Sequence, residues 1–318
     1  MRVRPLGDTG LEVTPLGLGL AALGRPGYLN FGHDEDLAGR RSIEALEQHT
    51  HRVLDEARQA GIRYIDAARS YGRAEVFLAS WLASRDLRPV DITVGSKWGY
   101  RYTAGWRVDA ETHEVKDLTV GHLESQYQET TDLLGSYLSL YQIHSATLQV
   151  LGDRAVLARL AAIRAADVVI GLSVSGPQQS DSIRRAIEIE FGGVRLFGAV
   201  QATWNLLEPS AGPALAEASD AGLGVIVKEA LANGRLTDRD QWAAAELRQW
   251  LPGLAPDAAA LAAALAQPWA DVVLSGAATV AQLSSNLEAL TVTDPGALPA
   301  MAEDPEAYWS RRSSLTWT

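Results

Sequence analysis

The run GIRYIDAARSYGRAE, residues 61–75, decides how this chain is read. Gly61 follows QA at the end of a helical pattern and marks its C-terminal stop. From Ile62 the β-branched and aromatic residues give a strand, residues 62–66, which ends on Asp66. Tyr71 follows five residues later in a short polar loop, so one strand end and its loop bring a carboxylate and a phenol together. Taken alone, the same residues also describe a strand with a polar end and a turn tyrosine.

Two further strand ends extend the pattern. An apolar run in DITVGSKWGY ends on Lys97, and another in LSLYQIHSA ends on His144. In a parallel α/β protein the C-terminal strand ends open into one shared crevice, so Asp66, Tyr71, Lys97 and His144 are expected to meet there. Of the 28 basic residues only Lys97, Lys116 and Lys228 are lysine. A sequence that strongly prefers arginine keeps lysine at two strand ends, where a compact ammonium of shiftable pKa does what a guanidinium cannot.

An Asp, Tyr, Lys and His at strand ends in this order resembles the catalytic tetrad of the aldo-keto reductase family. GIRYIDAARSYG is similar to that family's first signature and YQIHS to its histidine strand. The resemblance runs from PLGDTGLEVTPLGLG near the start to SGAATVAQLSSNLEAL near the end. It implies a single domain over residues 1–318, a (β/α)8 TIM barrel capped by an N-terminal β-hairpin, and a cytoplasmic oxidoreductase that takes NADP(H), with NAD(H) not excluded.

The pattern of elements agrees. After a hairpin over residues 3–13, strand-like runs fall at 16–20, 62–66, 92–97, 138–144, 168–173, 196–201, 224–228 and 272–275. Helical stretches separate them at 47–60, 75–84, 118–134, 153–166, 177–188, 211–220, 256–267 and 279–290. Eight alternating units predict a closed parallel barrel. DAAALAAALAQ is low in complexity, but alanine is the best helix former, so it reads as helix. Segments 24–42, 99–116 and 236–254 leave the C-terminal face and are expected to shape the substrate pocket, with Trp98, Tyr100, Tyr102, Trp106 and Trp204 as its aromatic lining.

Composition excludes several classes. A net charge of -11 and a pI near 5.1 argue against a nucleic-acid or anionic-membrane surface. With no cysteine there is no disulfide framework, thiolate nucleophile or Cys-ligated metal. His49 and His51, two apart on a helix, face different directions and do not form a metal pair. The expected partner is a small carbonyl or alcohol; the oligomeric state is not legible.

Carbonyl reduction needs a hydride on carbon and a proton on oxygen, and no side chain supplies hydride, so a nicotinamide must. In this reading Tyr71 is the general acid, with Lys97 lowering its pKa from about 10. Asp66 holds Lys97, and neutral His144 donates to the substrate oxygen. The alternatives are a redox-neutral isomerase or lyase using the same acid/base set, and a non-catalytic regulatory barrel that binds cofactor.

The resemblance also carries over cofactor contacts. Ser173 matches the serine of a Ser-Asn pair for the nicotinamide carboxamide, whereas the asparagine is replaced by Val174. Gln201 matches the strand-six glutamine, and Lys228 stands where the family stacks an aromatic on the nicotinamide. Gly276, Ala277 and Thr279 fall at the phosphate-binding helix start, and Asn286 matches an adenine-contacting asparagine. Gln282 replaces an arginine that grips the 2'-phosphate in many relatives, and Ser285 its acidic neighbour.

Overall fold

A computed structural model describes residues 1–318. Its core is a closed barrel of eight parallel strands: β1 (Leu16–Gly19), β2 (Tyr64–Asp66), β3 (Thr93–Trp98), β4 (Leu138–Ile143), β5 (Val169–Ser173), β6 (Ala199–Thr203), β7 (Gly224–Lys228) and β8 (Val272–Ser275). Each pairs with its neighbours in sequence, and β8 closes on β1 with Gly17 opposite Leu274. Helices α1 (Ile43–Gln59), α2 (Ala74–Ser84), α3 (Val120–Leu134), α4 (Arg154–Arg164), α5 (Gln179–Glu188), α6 (Gly212–Asp220), α7 (Pro256–Leu265) and α8 (Val280–Leu287) follow the strands in order. The expected (β/α)8 architecture is the one observed.

Local chemistry sets the helix ends. Ser42, Thr119, Asp153 and Thr279 cap α1, α3, α4 and α8, each side chain accepting from a first-turn N–H. Gly61, at φ +84°, lets the chain leave α1 and enter β2. Beyond Asp257 in its first turn, helix α7 is apolar all round, and all residues from Ala258 to Ala264 are buried; its small side chains let it lie close against its neighbours.

Alternation along the strands builds the barrel interior in layers. The lower layer is apolar: Tyr64, Leu140, Ala199, Ile226, Val272 and Leu274, closed from below by Leu6 and Val13 of the N-terminal hairpin, in which Arg4–Pro5 pairs with Glu12–Val13. Two residues further along, the same inward faces carry Asp66, Lys97, Gln142, Ser173, Gln201 and Lys228. The polar layer therefore sits at the C-terminal end of the barrel, on top of an apolar plug.

Three insertions surround that end, as expected, and all three carry regular structure of their own. A short helix, His33–Leu37, follows β1; an antiparallel pair, Tyr100–Tyr102 with Glu114–Lys116, follows β3; and a helix, Gln241–Trp250, follows β7. Two elements were not foreseen from the sequence: the strand pair Glu190–Phe191 and Val194–Arg195, and the helix Pro305–Ser313. The expected strand at 196–201 is shifted, beginning at Ala199 because Leu196 and Phe197 pack outside the barrel strand in the loop before it. No helix is long and apolar enough to cross a membrane.

Candidate active site

Asp66 closes β2, and its register partner on β3 is Gly95, which puts Lys97 two residues further on the same inward face. A Cβ on Gly95 would lie 2.3 Å from the Tyr64 hydroxyl, so only glycine leaves room for that phenol. Tyr64 uses the space to donate to Asp66 Oδ1 at 3.2 Å. Gln201 Nε2 donates to the same oxygen at 2.9 Å and Gln142 Nε2 at 3.4 Å, while Lys97 Nζ donates to Oδ2. The carboxylate is 2% exposed and fully engaged.

Lys97 also donates to the Ala67 carbonyl at 3.0 Å and to the Tyr71 hydroxyl at 3.3 Å. His144 is the first residue beyond β4; its ring stands edge-on to Tyr71, centroids 5.5 Å apart, and Ser70 Oγ lies 3.4 Å from its Nδ1. The structure thus brings Asp66, Tyr71, Lys97 and His144 together, as the strand-end reading anticipates. Above Tyr71 lies Arg25, whose guanidinium is 5.2 Å from the phenol ring centre and 4.4 Å from that of Trp317. Arg25 is buried and held by Glu114 and by the Ser70 carbonyl at 3.1 Å.

The electrostatics differ from the sequence expectation at one point. Burial, followed by the Asp66 charge, pushes the Tyr71 phenol well above its usual 10, and Arg25 only partly offsets this. Tyr71 is therefore protonated throughout the neutral range, a proton donor in its resting form. His144 is driven well below 6.5, first by burial and then by Lys97, Lys228, Arg25 and Lys116, so its imidazole is neutral. Lys228 donates to Thr203 Oγ1 at 2.7 Å and Ser175 Oγ at 3.0 Å; burial lowers it to about 8 against the pull of Glu229, 4.0 Å away. Burial works against ionising Glu229, yet Arg312 and Lys228 together hold it down at about 2.

One cavity of about 880 Å³ connects these groups to the start of α8. Tyr71, His144, Gln201, Lys228, Gly276, Ala277, Gln282 and Asn286 all line it. Other expected positions lie elsewhere. Ser173 is buried below the cavity, its Oγ accepting from the Ser145 N–H at 2.9 Å, and Ser175 lines the wall instead. Thr279 is used up as the α8 cap, accepting from the Gln282 N–H at 3.1 Å.

The expected aromatic lining is also corrected. Trp98 is wholly buried in the layer between barrel and helices, because its strand position alternates outward from Lys97. Trp106 donates to the Arg41 carbonyl at 2.7 Å and packs edge-on to Phe77, and Trp204 packs against Trp269. Of the expected aromatics Tyr100 lines the cavity, whereas the three tryptophans and Tyr102 do not; Tyr28, Trp309 and Trp317 join it. Among the missed residues, Gln142 was findable, since it lies two before His144 on the same inward face. Arg25, Trp309 and Trp317 gave no local signal, because distant chain segments bring them in.

A nicotinamide dinucleotide fits this arrangement by the chemistry of its donors and the continuity of the cavity. The adenosine end would meet Gly276 and Ala277 before α8, whose first-turn N–H groups favour phosphate, and Asn286, whose Nδ2 donates to Asp257 Oδ2 at 2.9 Å. Ser285 Oγ donates to the other oxygen of Asp257 at 3.0 Å, while Gln282 Oε1 is taken by the Ala278 N–H at 2.8 Å. At the opposite end Lys228 and Gln201 flank the tetrad.

A (β/α)8 barrel whose C-terminal face joins an Asp-Tyr-Lys-His cluster to an elongated cavity is the architecture of an NAD(P)(H)-dependent oxidoreductase. The chain belongs to the aldo/keto reductase family, whose model matches residues 15–295. It is 25% identical over 91% of both chains to an uncharacterized oxidoreductase of Bacillus subtilis, YqkF. A solved Pseudomonas aeruginosa protein named as an aldo-keto reductase is 25% identical with a TM-score of 0.65, over 90% of this chain and 94% of that one. The holo form of an aldo-keto reductase from Bacillus halodurans shares the fold at 21% identity, with a TM-score of 0.70 over 98% of this chain and 96% of the other.

Proposed function

We propose that the protein interconverts an aldehyde or ketone with its alcohol, Tyr71 giving or taking the proton at the substrate oxygen. The observation that carries this is the contact of the Tyr71 hydroxyl with Lys97 Nζ at 3.3 Å, beside a neutral histidine and inside the cavity. The nicotinamide supplies the hydride when bound. In the tautomer in which Ser70 donates to His144 Nδ1, the Nε2 proton is free to bind the substrate carbonyl oxygen and polarise it. Tyr71 then delivers its proton to that oxygen, and Lys97 stabilises the phenolate left behind. Asp66 keeps Lys97 oriented, and its own remaining lone pairs are held by Gln142, Gln201 and Tyr64.

A raised phenol favours the direction of reduction, since a protonated Tyr71 is an acid in hand, whereas oxidation requires its anion. The cofactor in this reading is NADP(H) or NAD(H). Tyr71→Phe tests the assignment. Reduction of a simple aldehyde should fall roughly 10²–10⁴-fold while the dissociation constant for the reduced cofactor stays within a few-fold. Retention of most activity would remove Tyr71 from the chemistry, and product formation without cofactor consumption would favour a redox-neutral reaction.

A further inference from the structure

The charged groups around the cavity pair off almost completely. Glu114 takes Arg25, Glu229 takes Arg312, Asp66 takes Lys97, Asp36 takes Arg239 and Asp238 takes Arg248. Two cations are left over at the catalytic end. Lys228 has only the distant share of a carboxylate already bound by Arg312, and Lys116 has no carboxylate within 4.0 Å. Its ammonium donates to the Ser145 carbonyl at 2.6 Å, one residue beyond His144, and stands 5.5 Å from the Tyr100 ring centre. That ring lies 4.9 Å from His144, so placed end to end the two separations put Lys116 within about 10 Å of the catalytic imidazole. In a chain of net charge -11, every lysine is gathered at this one end of the barrel.

We propose that the substrate carries an anionic group, carboxylate or phosphate, a few bonds from its carbonyl, and that Lys116 recognises it. The inference rests on the carbonyl reading of the site and names the class of carbonyl compound. Lys116 is suited to the task by its place: it lies on the strand pair after β3, exposed at the cavity wall, with two of its three ammonium protons free of protein acceptors. An oxyanion on Lys116 completes a pairing that the protein leaves open, in a cavity that Lys228 also lines.

The test compares matched substrates in the protein with its cofactor. Succinic semialdehyde should exceed butanal in kcat/KM by roughly 10–100-fold, the worth of one charge-assisted contact. Lys116→Met should bring the two kcat/KM values to within a few-fold of each other, and Lys116→Arg should keep most of the difference. Glyceraldehyde 3-phosphate against glyceraldehyde tells whether phosphate or carboxylate is preferred. Equal kcat/KM for charged and neutral partners, or an advantage that survives in Lys116→Met, would overturn the proposal. Binding separates this from failure of the carbonyl reading. If no aldehyde is reduced, yet succinate quenches tryptophan fluorescence more tightly than succinamide and loses this in Lys116→Met, the anion site stands without the reaction. If the two bind alike, the anion site falls.

Discussion

Replacing Lys97 by methionine removes a charge at the point where the proposed mechanism needs it most. The ammonium lies 3.3 Å from the Tyr71 hydroxyl. At an effective dielectric of ~20, a unit charge at that distance stabilises the phenolate by about 5 kcal/mol, nearly four powers of ten in rate. Asp66, bound to the same ammonium, opposes part of this, so the expected loss in kcat is roughly 10²–10³. The same substitution strands the buried Asp66 carboxylate with only Tyr64, Gln142 and Gln201 as donors, which should lower stability by about 3–5 kcal/mol. Asp66→Asn with Lys97→Met removes both charges and should recover much of that stability, but none of the activity. Steady-state rates with an aldehyde and the reduced cofactor, set beside urea unfolding of the three proteins, separate the two effects. A folded Lys97→Met within tenfold of the parent rate, or a double variant that regains activity, would refute the electrostatic role.

Three other outcomes follow from the site and its surroundings. Because Gln282 is engaged by Ala278 and the Asp257 carboxylate faces the adenosine end, NADPH and NADH should bind within roughly 100-fold of each other. Asp257→Asn should shift the ratio of dissociation constants toward NADPH, and a parent preference for NADPH of many hundred-fold would show a cationic clamp elsewhere. Lys228→Met should raise affinity for the oxidised relative to the reduced cofactor by roughly tenfold or more, because an ammonium beside the ring disfavours its cationic form; an unchanged ratio would place Lys228 away from the ring. His33 is fully buried, neither ring nitrogen has a partner, and burial lowers its pKa to about 4. The unfolded chain takes up the proton first, so the stability this neutral imidazole protects is complete above about pH 6.5 and falls by about 3 kcal/mol toward pH 4. His33→Leu should flatten urea midpoints between pH 7.5 and 5, and an unchanged slope would assign the acid sensitivity to other groups.

The barrel and its chemical centre were legible because both are written in local patterns. Asp66, Lys97 and His144 end apolar runs, and strand ends share a face in any parallel barrel, so position in the chain predicted position in space. Period-2 alternation carried more than was taken from it. Counting inward from Lys97 turns Trp98 outward into the helix layer, which removes it from the pocket. The roof of the site is the part that local pattern does not encode. Arg25, Glu114, Trp309 and Trp317 come from loops, a strand pair and a helix separated by up to about three hundred residues, and their meeting depends on packing that no window of sequence contains. Glu229, too, reads as a mere neighbour of Lys228, and its capture by Arg312 of the helix Pro305–Ser313 shows only in three dimensions. The Tyr71 phenol follows the same lesson: residue types predict a lowered pKa, and the depth of burial reverses the sign.

The segregation of lysine has a practical side. Amine-directed reagents usually spread over dozens of surface sites, but here the side-chain targets are Lys116 at the cavity wall, Lys228 inside it with a pKa of about 8, and Lys97 sealed at the floor. Biotin esters, fluorescent succinimides or an aldehyde-coated support would spare the arginine-covered exterior and couple at the α-amino group or at the mouth of the catalytic chamber. Immobilised through Lys116, the barrel would sit with its opening pressed to the matrix. Arginine- or carboxylate-directed coupling would leave the opening toward the solution.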